Sequence, residues 1–272
     1  MDLDGTLLDS TGQLPDENVA TIELAAQRGI SIVIVTGRRF DSARSIAAKL
    51  SCDIHLIANN GALIKSKDGD TLYRRLLPTA TARAVLEATS EHRASTGVIF
   101  DRPGGKQVIL ERIDWESPFV GPYLRRHRHH VEEMAPLTAC LDSEDPVEVL
   151  FLGECGAMRQ IMGLLERQPI SANYRLALTE YERRNLSMLD VLEPTVSKGA
   201  ALAELARRRG IDRKEVMAIG DNWNDREMLE YAGLPVVMEN SVPELKSTGW
   251  TVTLSNDECG VSHAIRTFVL RE

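Results

Sequence analysis

The sequence is poor in cysteine and aromatic residues: four cysteines in 272 residues, and 5% Phe, Trp and Tyr together. Cys52, Cys140, Cys155 and Cys259 are widely spaced and form no C-x-x-C pair. That excludes a disulfide framework and predicts reduced thiols in a cytoplasmic protein. No apolar run approaches the ~18 residues a membrane span needs. Basic charge is also short. Lys and Arg number 32 against 40 Asp and Glu, a net charge of −8. This argues against nucleic acid or an anionic membrane as the main partner. The opening Met1-Asp2-Leu3-Asp4 is acidic from its second residue, so no signal peptide is expected. What is present, 43% hydrophobic and 26% charged residues, is an ordinary globular composition. At ~100–200 residues per domain it fits one large domain or two smaller ones. No internal repeat or low-complexity tract interrupts it.

The hydrophobic pattern changes twice along the chain. Leu14-Pro15-Asp16-Glu17 is a helix start, with proline and acids in the first turn, and Gly29 ends the helix. Ile30 to Val35 is β-branched and almost continuous, the pattern of a strand buried on both faces. A helix over 40–50 and a strand over 55–58 follow. This β-α-β alternation predicts a doubly wound parallel sheet of the α/β class. From Leu77-Pro78 to about residue 190 the pattern becomes α+β. Strand-like runs lie at 98–100, 107–110 and 148–152, helical stretches at 79–92 and 156–167, and a hairpin turn at Gly104-Gly105. From Ser197 the first style returns: a helix over 199–209, a buried strand over 216–219, and strands near 234–238 and 250–253. Asp221 reads as the cap of the helix after that buried strand. The expectation is a core built from 1–78 and 193–272, with an α+β domain, 79–192, inserted into it.

The chemistry-bearing residues stand at strand ends. In extended backbone, residues i and i+2 point to the same side, so Asp2 and Asp4 are expected to face one pocket. Gly5 would then permit a sharp turn, and Thr6 supplies a hydroxyl. Two such carboxylates suit a divalent cation, or a nucleophile with a proton carrier. Thr36-Gly37-Arg38 ends a strand and precedes a helix, a place that attracts anions. Lys198 opens a helix, where the dipole disfavours a cation unless it is solvated or committed to an anion. Gly220-Asp221-Asn222-Trp223-Asn224-Asp225 follows a buried strand, at the sheet edge where α/β proteins bind ligands.

In this order, D-x-D-G-T, T-G-R, S-K-G and G-D-x-x-N-D resemble the haloacid dehalogenase superfamily. Asn60-Gly61-Ala62, Val196 to Leu202 and Ser255 to Val261 point to its Cof-type branch, which carries a large α/β cap. The resemblance covers 1–78 and 193–272; in the cap it rests on size and position. It implies a Rossmann-like core and a Mg²⁺-dependent phosphatase. Asp2 is then the nucleophile that becomes an aspartyl-phosphate. Asp4 is the general acid and then base, its carbonyl touching the metal, and Asp221 completes the Mg²⁺ site with Asp2. Thr36 and Gly37 become phosphate-oxygen donors, and Lys198 neutralises phosphoryl charge. Asn224 becomes a phosphate or pocket ligand, and Asp225 the support for Lys198. Arg38, Arg39 and Asn60 lie where a substrate is reachable. The basic run Arg125 to His130 is read as a solvated face. Glu239 and Cys259 depart from the branch's pattern at peripheral positions.

The expected partner is a small phosphorylated metabolite such as a sugar phosphate, acted on by a monomer or weak homodimer. Alternatives are a phosphatase narrowed to a cofactor or nucleotide, such as pyridoxal phosphate or flavin mononucleotide, and a phospholigand-binding protein without turnover. A phosphomutase is disfavoured because no second phosphate site is identified. In this superfamily a buried central strand delivers D-x-D, yet only Met1 precedes Asp2. Two explanations stand side by side: the true start lies upstream in an apolar run, or this is the real chain and the strand is a stub. The 272-residue form is expected to be less stable and less active than a version extended by upstream apolar residues.

Overall fold

The computed structural model describes residues 1–182 and 185–272. The chain divides into two compact units, Met1–Arg74 with Ser197–Glu272, and Arg75–Val196.

In the first unit the chain begins with α1 (Asp16–Gln27), β1 (Ile32–Val35), α2 (Phe40–Ala47), β2 (Ile54–Ala58), β3 (Leu63–Ser66) and β4 (Thr71–Arg74). β1 and β2 pair in parallel, as the β-α-β pattern predicts. β3 and β4 then add an antiparallel hairpin that the sequence reading left unassigned. Both strands are short, and β4 is mostly exposed, so neither shows a strong hydrophobic period.

The second unit holds α3 (Thr79–Ala88), β5 (Thr96–Ile99), β6 (Val108–Leu110), α4 (Val120–Arg126), β7 (Val131–Glu133), β8 (Glu148–Gly153), α5 (Cys155–Glu166), β9 (Arg175–Tyr181) and β10 (Leu186–Leu192). Its six strands form one sheet in the order β7-β6-β5-β8-β10-β9. Only β6 and β7 run parallel among these pairs. Val98, Phe100, Ile109, Val149, Phe151 and Leu189 pack with the buried faces of α3 and α5. The basic run is spent on local contacts. Arg125 binds the Trp115 carbonyl, Arg128 lies 5.7 Å over the Trp115 ring, and the Tyr123 ring meets that of His127 at 4.6 Å, tilted by 57°.

Back in the first unit follow α6 (Lys198–Arg209), β11 (Met217–Gly220), α7 (Arg226–Tyr231), β12 (Leu234–Val237), α8 (Pro243–Lys246), β13 (Thr251–Val252) and α9 (Gly260–Ala264). β11, β12 and β13 pair in parallel. Met1 and Asp2 join this sheet to β1. The Met1 amine donates to Val33 O at 3.0 Å, Val35 N to Met1 O at 2.8 Å, and Asp2 N to Ile219 O at 2.9 Å. Val35, Ile57, Ala218 and Val237 pack against Leu202 and Leu205 of α6 and Leu229 of α7. The carboxyl ends of β1, β2 and β11 therefore converge where the Met1–Asp2 segment ends. All four cysteines are free thiols. No helix among the described residues is long and apolar enough to cross a membrane.

Candidate active site

Chain segments around Asp2, Thr36, Asn60, Lys198, Asp221 and Asn240 form the site at these strand ends. The extended-strand expectation for Asp2 and Asp4 fails beyond Asp2. From Leu3 the chain turns back on itself, with the N–H groups of Thr6, Leu7 and Leu8 all directed to Leu3 O at 3.4, 3.0 and 2.9 Å. Leu3 is fully buried and anchors that turn. Gly5 sits within it at φ 81°, and a Cβ there would lie 2.4 Å from Asp221 Oδ2. Glycine thus allows both the left-handed backbone and the close approach of Asp221. Thr6 Oγ1 donates to Asp221 Oδ1 at 2.7 Å, and Asn240 Nδ2 donates to Gly5 O at 2.7 Å. Asn240 was missed because a turn asparagine so far along the sequence has no local signal of its partner.

Lys198 is the hub. It is the first residue of α6, whose N-cap Ser197 accepts from Ala200 N at 3.1 Å. The Lys198 ammonium donates to Asp2 Oδ1 at 2.7 Å and to Asp225 Oδ1 at 2.6 Å, and all three side chains are buried. A cation placed against the helix dipole is thereby committed to anions. The other oxygen of Asp225 accepts from Asp221 N at 3.0 Å and Asn222 N at 3.1 Å. Asp225 thus ties the turn after β11 to Lys198. That turn is a short 3-10 stretch, Trp223–Asp225, capped by Asn222 rather than by Asp221 as the sequence suggested. Asp221 is left to face Gly5 and Thr6.

The second side of the site is Thr36, Gly37, Arg38 and Asn60. Thr36 is buried, and its Oγ1 accepts from Arg38 N at 3.1 Å. Asn60 N donates to Thr36 O at 3.1 Å, and Asn59 N to Arg38 O at 2.9 Å. Asn59 and Asn60 both take left-handed φ, 49° and 54°, a conformation asparagine tolerates. A Cβ on Gly37 would lie 2.9 Å from Asn60 Oδ1. The Arg38 guanidinium is on Asp4, Nε to Oδ2 at 2.7 Å and Nη2 to Oδ1 at 2.5 Å. Arg39 is buried, and Asn224 is half-buried in the β11 turn.

Charge is the dominant fact of this site. Asp2, Asp221 and Asp225 each bring a carboxylate oxygen within 4.8 Å of the others, against the ammonium of Lys198 and a Met1 amine that burial lowers to about 6. Burial pushes Asp2 up to about 7, helped by the charge of Asp225 and opposed by Lys198. Burial likewise holds Asp221 well above the usual carboxylate range, with Asp2 and Asp225 adding to it and the Thr6 hydroxyl opposing. Burial acts to lower Lys198, but Asp2 and Asp225 outweigh it and hold the ammonium charged. An all-oxygen cluster with surplus negative charge fits a hard divalent cation. Asp2 and Asp221 have the better claim to it, because Asp225 spends both oxygens on Lys198 and backbone N–H groups.

A family model for haloacid dehalogenase-like hydrolases matches residues 1–265. The chain belongs to that family. It is 33% identical to an HMP-PP phosphatase of Citrobacter koseri over 252 residues, 90% of this chain and 84% of that protein. It is 29% identical to phosphatase YwpJ of Bacillus subtilis over 282 residues, covering 98% and 97% of the two chains. Among solved structures, BT1666 of Bacteroides thetaiotaomicron, described as a phosphatase of the haloalkanoate superfamily, superposes with a TM-score of 0.78. Its identity is 25%, with 98% of this chain and 92% of that one covered. TM0651 of Thermotoga maritima superposes with a TM-score of 0.81 at 23% identity, covering 98% and 95%. The α/β fold with its inserted α+β unit is that of the family.

Proposed function

We propose that this enzyme, a phosphoric monoester hydrolase, is a Mg²⁺-dependent phosphatase of small phosphorylated metabolites that works through an aspartyl-phosphate on Asp2. One observation carries the reading: a buried lysine bridges Asp2 and Asp225 beside Asp221. A carboxylate held at its Oδ1 by an ammonium is fixed in orientation and keeps its other oxygen for attack.

The chemistry follows in two displacements. Asp2 attacks phosphorus, the bond to the leaving oxygen breaks with its electron pair, and that oxygen takes a proton from the Asp4 carboxyl. Water then attacks the phosphoryl group and gives its proton back to Asp4. The bond to Asp2 breaks, releasing inorganic phosphate and restoring both residues. Lys198, the Thr36 hydroxyl and the N–H of Gly37 face the phosphoryl oxygens in this reading, with Asn60 and Asn224 at the rim of the pocket. Asp2, Asp221 and the Asp4 carbonyl would hold Mg²⁺, which when bound offsets the repulsion between carboxylate and phosphate. Positioning and charge supply most of phosphoryl-transfer catalysis, and the residues at hand are of that kind.

For the substrate, the relative named HMP-PP phosphatase favours HMP-PP as a second reading alongside sugar phosphates. A phosphatase screen over a metabolite panel with Mg²⁺ tests both, with Asp2→Asn as control. Turnover abolished by Asp2→Asn supports the mechanism. Turnover that survives it refutes it, and tight binding without turnover favours a phospholigand-binding protein.

A further inference from the structure

Arg38 follows Thr36 and Gly37 in the turn after β1, where a free guanidinium would be expected to meet a phosphate. It instead turns its Nε–Nη2 edge to Asp4 in two bonds of 2.7 and 2.5 Å, one to each carboxylate oxygen. Such a fork fixes the plane of a carboxylate as well as its place. Both ends of the Arg38 backbone are anchored, its N–H on Thr36 Oγ1 and its carbonyl on Asn59 N. Asp4 is less constrained by burial: its side chain is 38% exposed, against 6% for Asp2. Its backbone lies in the turn that Gly5 makes possible. A half-exposed aspartate on a turn has several rotamers open to it, and the fork selects one.

We infer that Arg38 is a positioning residue that acts through Asp4, setting the geometry of proton transfer to the leaving group, and not a phosphate ligand. The inference rests on the phosphatase reading and adds a residue to its acid–base step. During the first displacement the Asp4 carboxyl gives its proton to the departing oxygen and regains one from water in the second. The fork must therefore yield one oxygen while keeping the carboxyl in place through the other.

A leaving-group series isolates this role. Nitrophenyl phosphates expel a stable anion that needs little protonation, whereas phenyl and alkyl phosphates depend on the acid. A positioned proton donor is worth about 10²–10⁴-fold. The expected result for Arg38→Ala is a loss of kcat/KM at least about tenfold larger for phenyl phosphate than for p-nitrophenyl phosphate. Asp4→Asn should show the same steepened dependence, and the double variant should be no steeper than Asp4→Asn alone. Arg38→Lys keeps the charge but loses the fork, and is expected to keep the steepened dependence; it also serves if Arg38→Ala folds poorly. Equal losses across the series in both Arg38 variants would overturn the inference, since a phosphate ligand affects every substrate alike. A dependence that steepens again when Arg38→Ala is added to Asp4→Asn would overturn it too. The underlying mechanism is judged separately: turnover surviving in Asp2→Asn defeats the phosphatase reading itself, whatever the leaving-group dependence.

Discussion

The surplus of buried carboxylate predicts that the metal-free protein loses stability as pH rises from 5 to 7. Asp2 ionises in the unfolded chain at its ordinary 3.8 but in the fold only at about 7. Below 3.8 both states hold the proton and nothing changes. Between the two values the fold binds a proton that the unfolded chain has released, so raising the pH favours unfolding. Each pH unit in that window costs about 1.4 kcal/mol, about 4 kcal/mol across the whole window. Asp9, Glu23 and Glu204 are held low by their hydrogen-bond partners, so their effects are complete in the acid range. His55 and the Met1 amine oppose Asp2, because burial lowers both. The contribution of His55 to stability grows as pH rises through the ordinary histidine range, and that of Met1, lowered to about 6, grows from there to its ordinary 8. Subtracting the Asp2→Asn melting curve at each pH removes the His55 contribution. The assay is thermal melting of chelator-treated protein at pH 5, 6 and 7. The difference between wild type and Asp2→Asn should fall by about 2–3 kcal/mol from pH 5 to 7, or about 5–10 °C for a unit of this size. Saturating Mg²⁺ binds the ionised cluster and should flatten the dependence, adding about 3 kcal/mol at a hundredfold excess over Kd. A difference that is flat or rises with pH in the metal-free protein would refute the charge argument.

Removing the Lys198 ammonium by Lys198→Met leaves Asp2 and Asp225 buried without their cation; a loss of about 3–5 kcal/mol in denaturant unfolding and no detectable turnover are expected. Gly5→Ala places a Cβ 2.4 Å from Asp221 Oδ2 on a backbone with φ of 81°, so Mg²⁺-dependent turnover should fall at least about tenfold with about 1–3 kcal/mol lost in stability. Leu229→Ala, fully buried in the α6–α7 packing, should cost about 2–5 kcal/mol by denaturant melting while leaving KM unchanged. His129→Ala, on the exposed basic run, should stay within about 0.5 kcal/mol of the wild type and leave turnover unchanged.

The elements legible in the sequence were those whose burial is continuous. β1, β2 and β11 announced themselves as β-branched or apolar runs, and α6 by its Ala and Leu content with Gly210 closing it at φ 68°. What escaped was whatever owes its structure to a partner far along the chain. β3 is a strand because β2 is beside it, and β4 because β3 is. β9, whose residues are mostly half-buried, is a strand because β10 pairs with it. The site divides in the same way. Asp2, Lys198, Asp221 and Asp225 could be picked out because a carboxylate or lysine at a strand end or helix start needs a reason for being there.

Their pairing shows that the reason is mutual. Lys198 tolerates the start of α6 because two carboxylates hold it, and Asp2 and Asp225 tolerate burial because one ammonium serves both. The balance does not close, however. Asp221 enters the same buried space with a hydroxyl and a glycine turn for neighbours rather than a second cation. A carboxylate so placed is expensive unless it is protonated or meets a positive charge, and its upward displacement by burial reflects that cost. A fold selected for stability alone would fill the position with an apolar side chain. Retaining a third aspartate against Gly5 makes physical sense where a divalent cation completes the charge balance, so the stability this site gives up without metal is the affinity it holds in reserve for one.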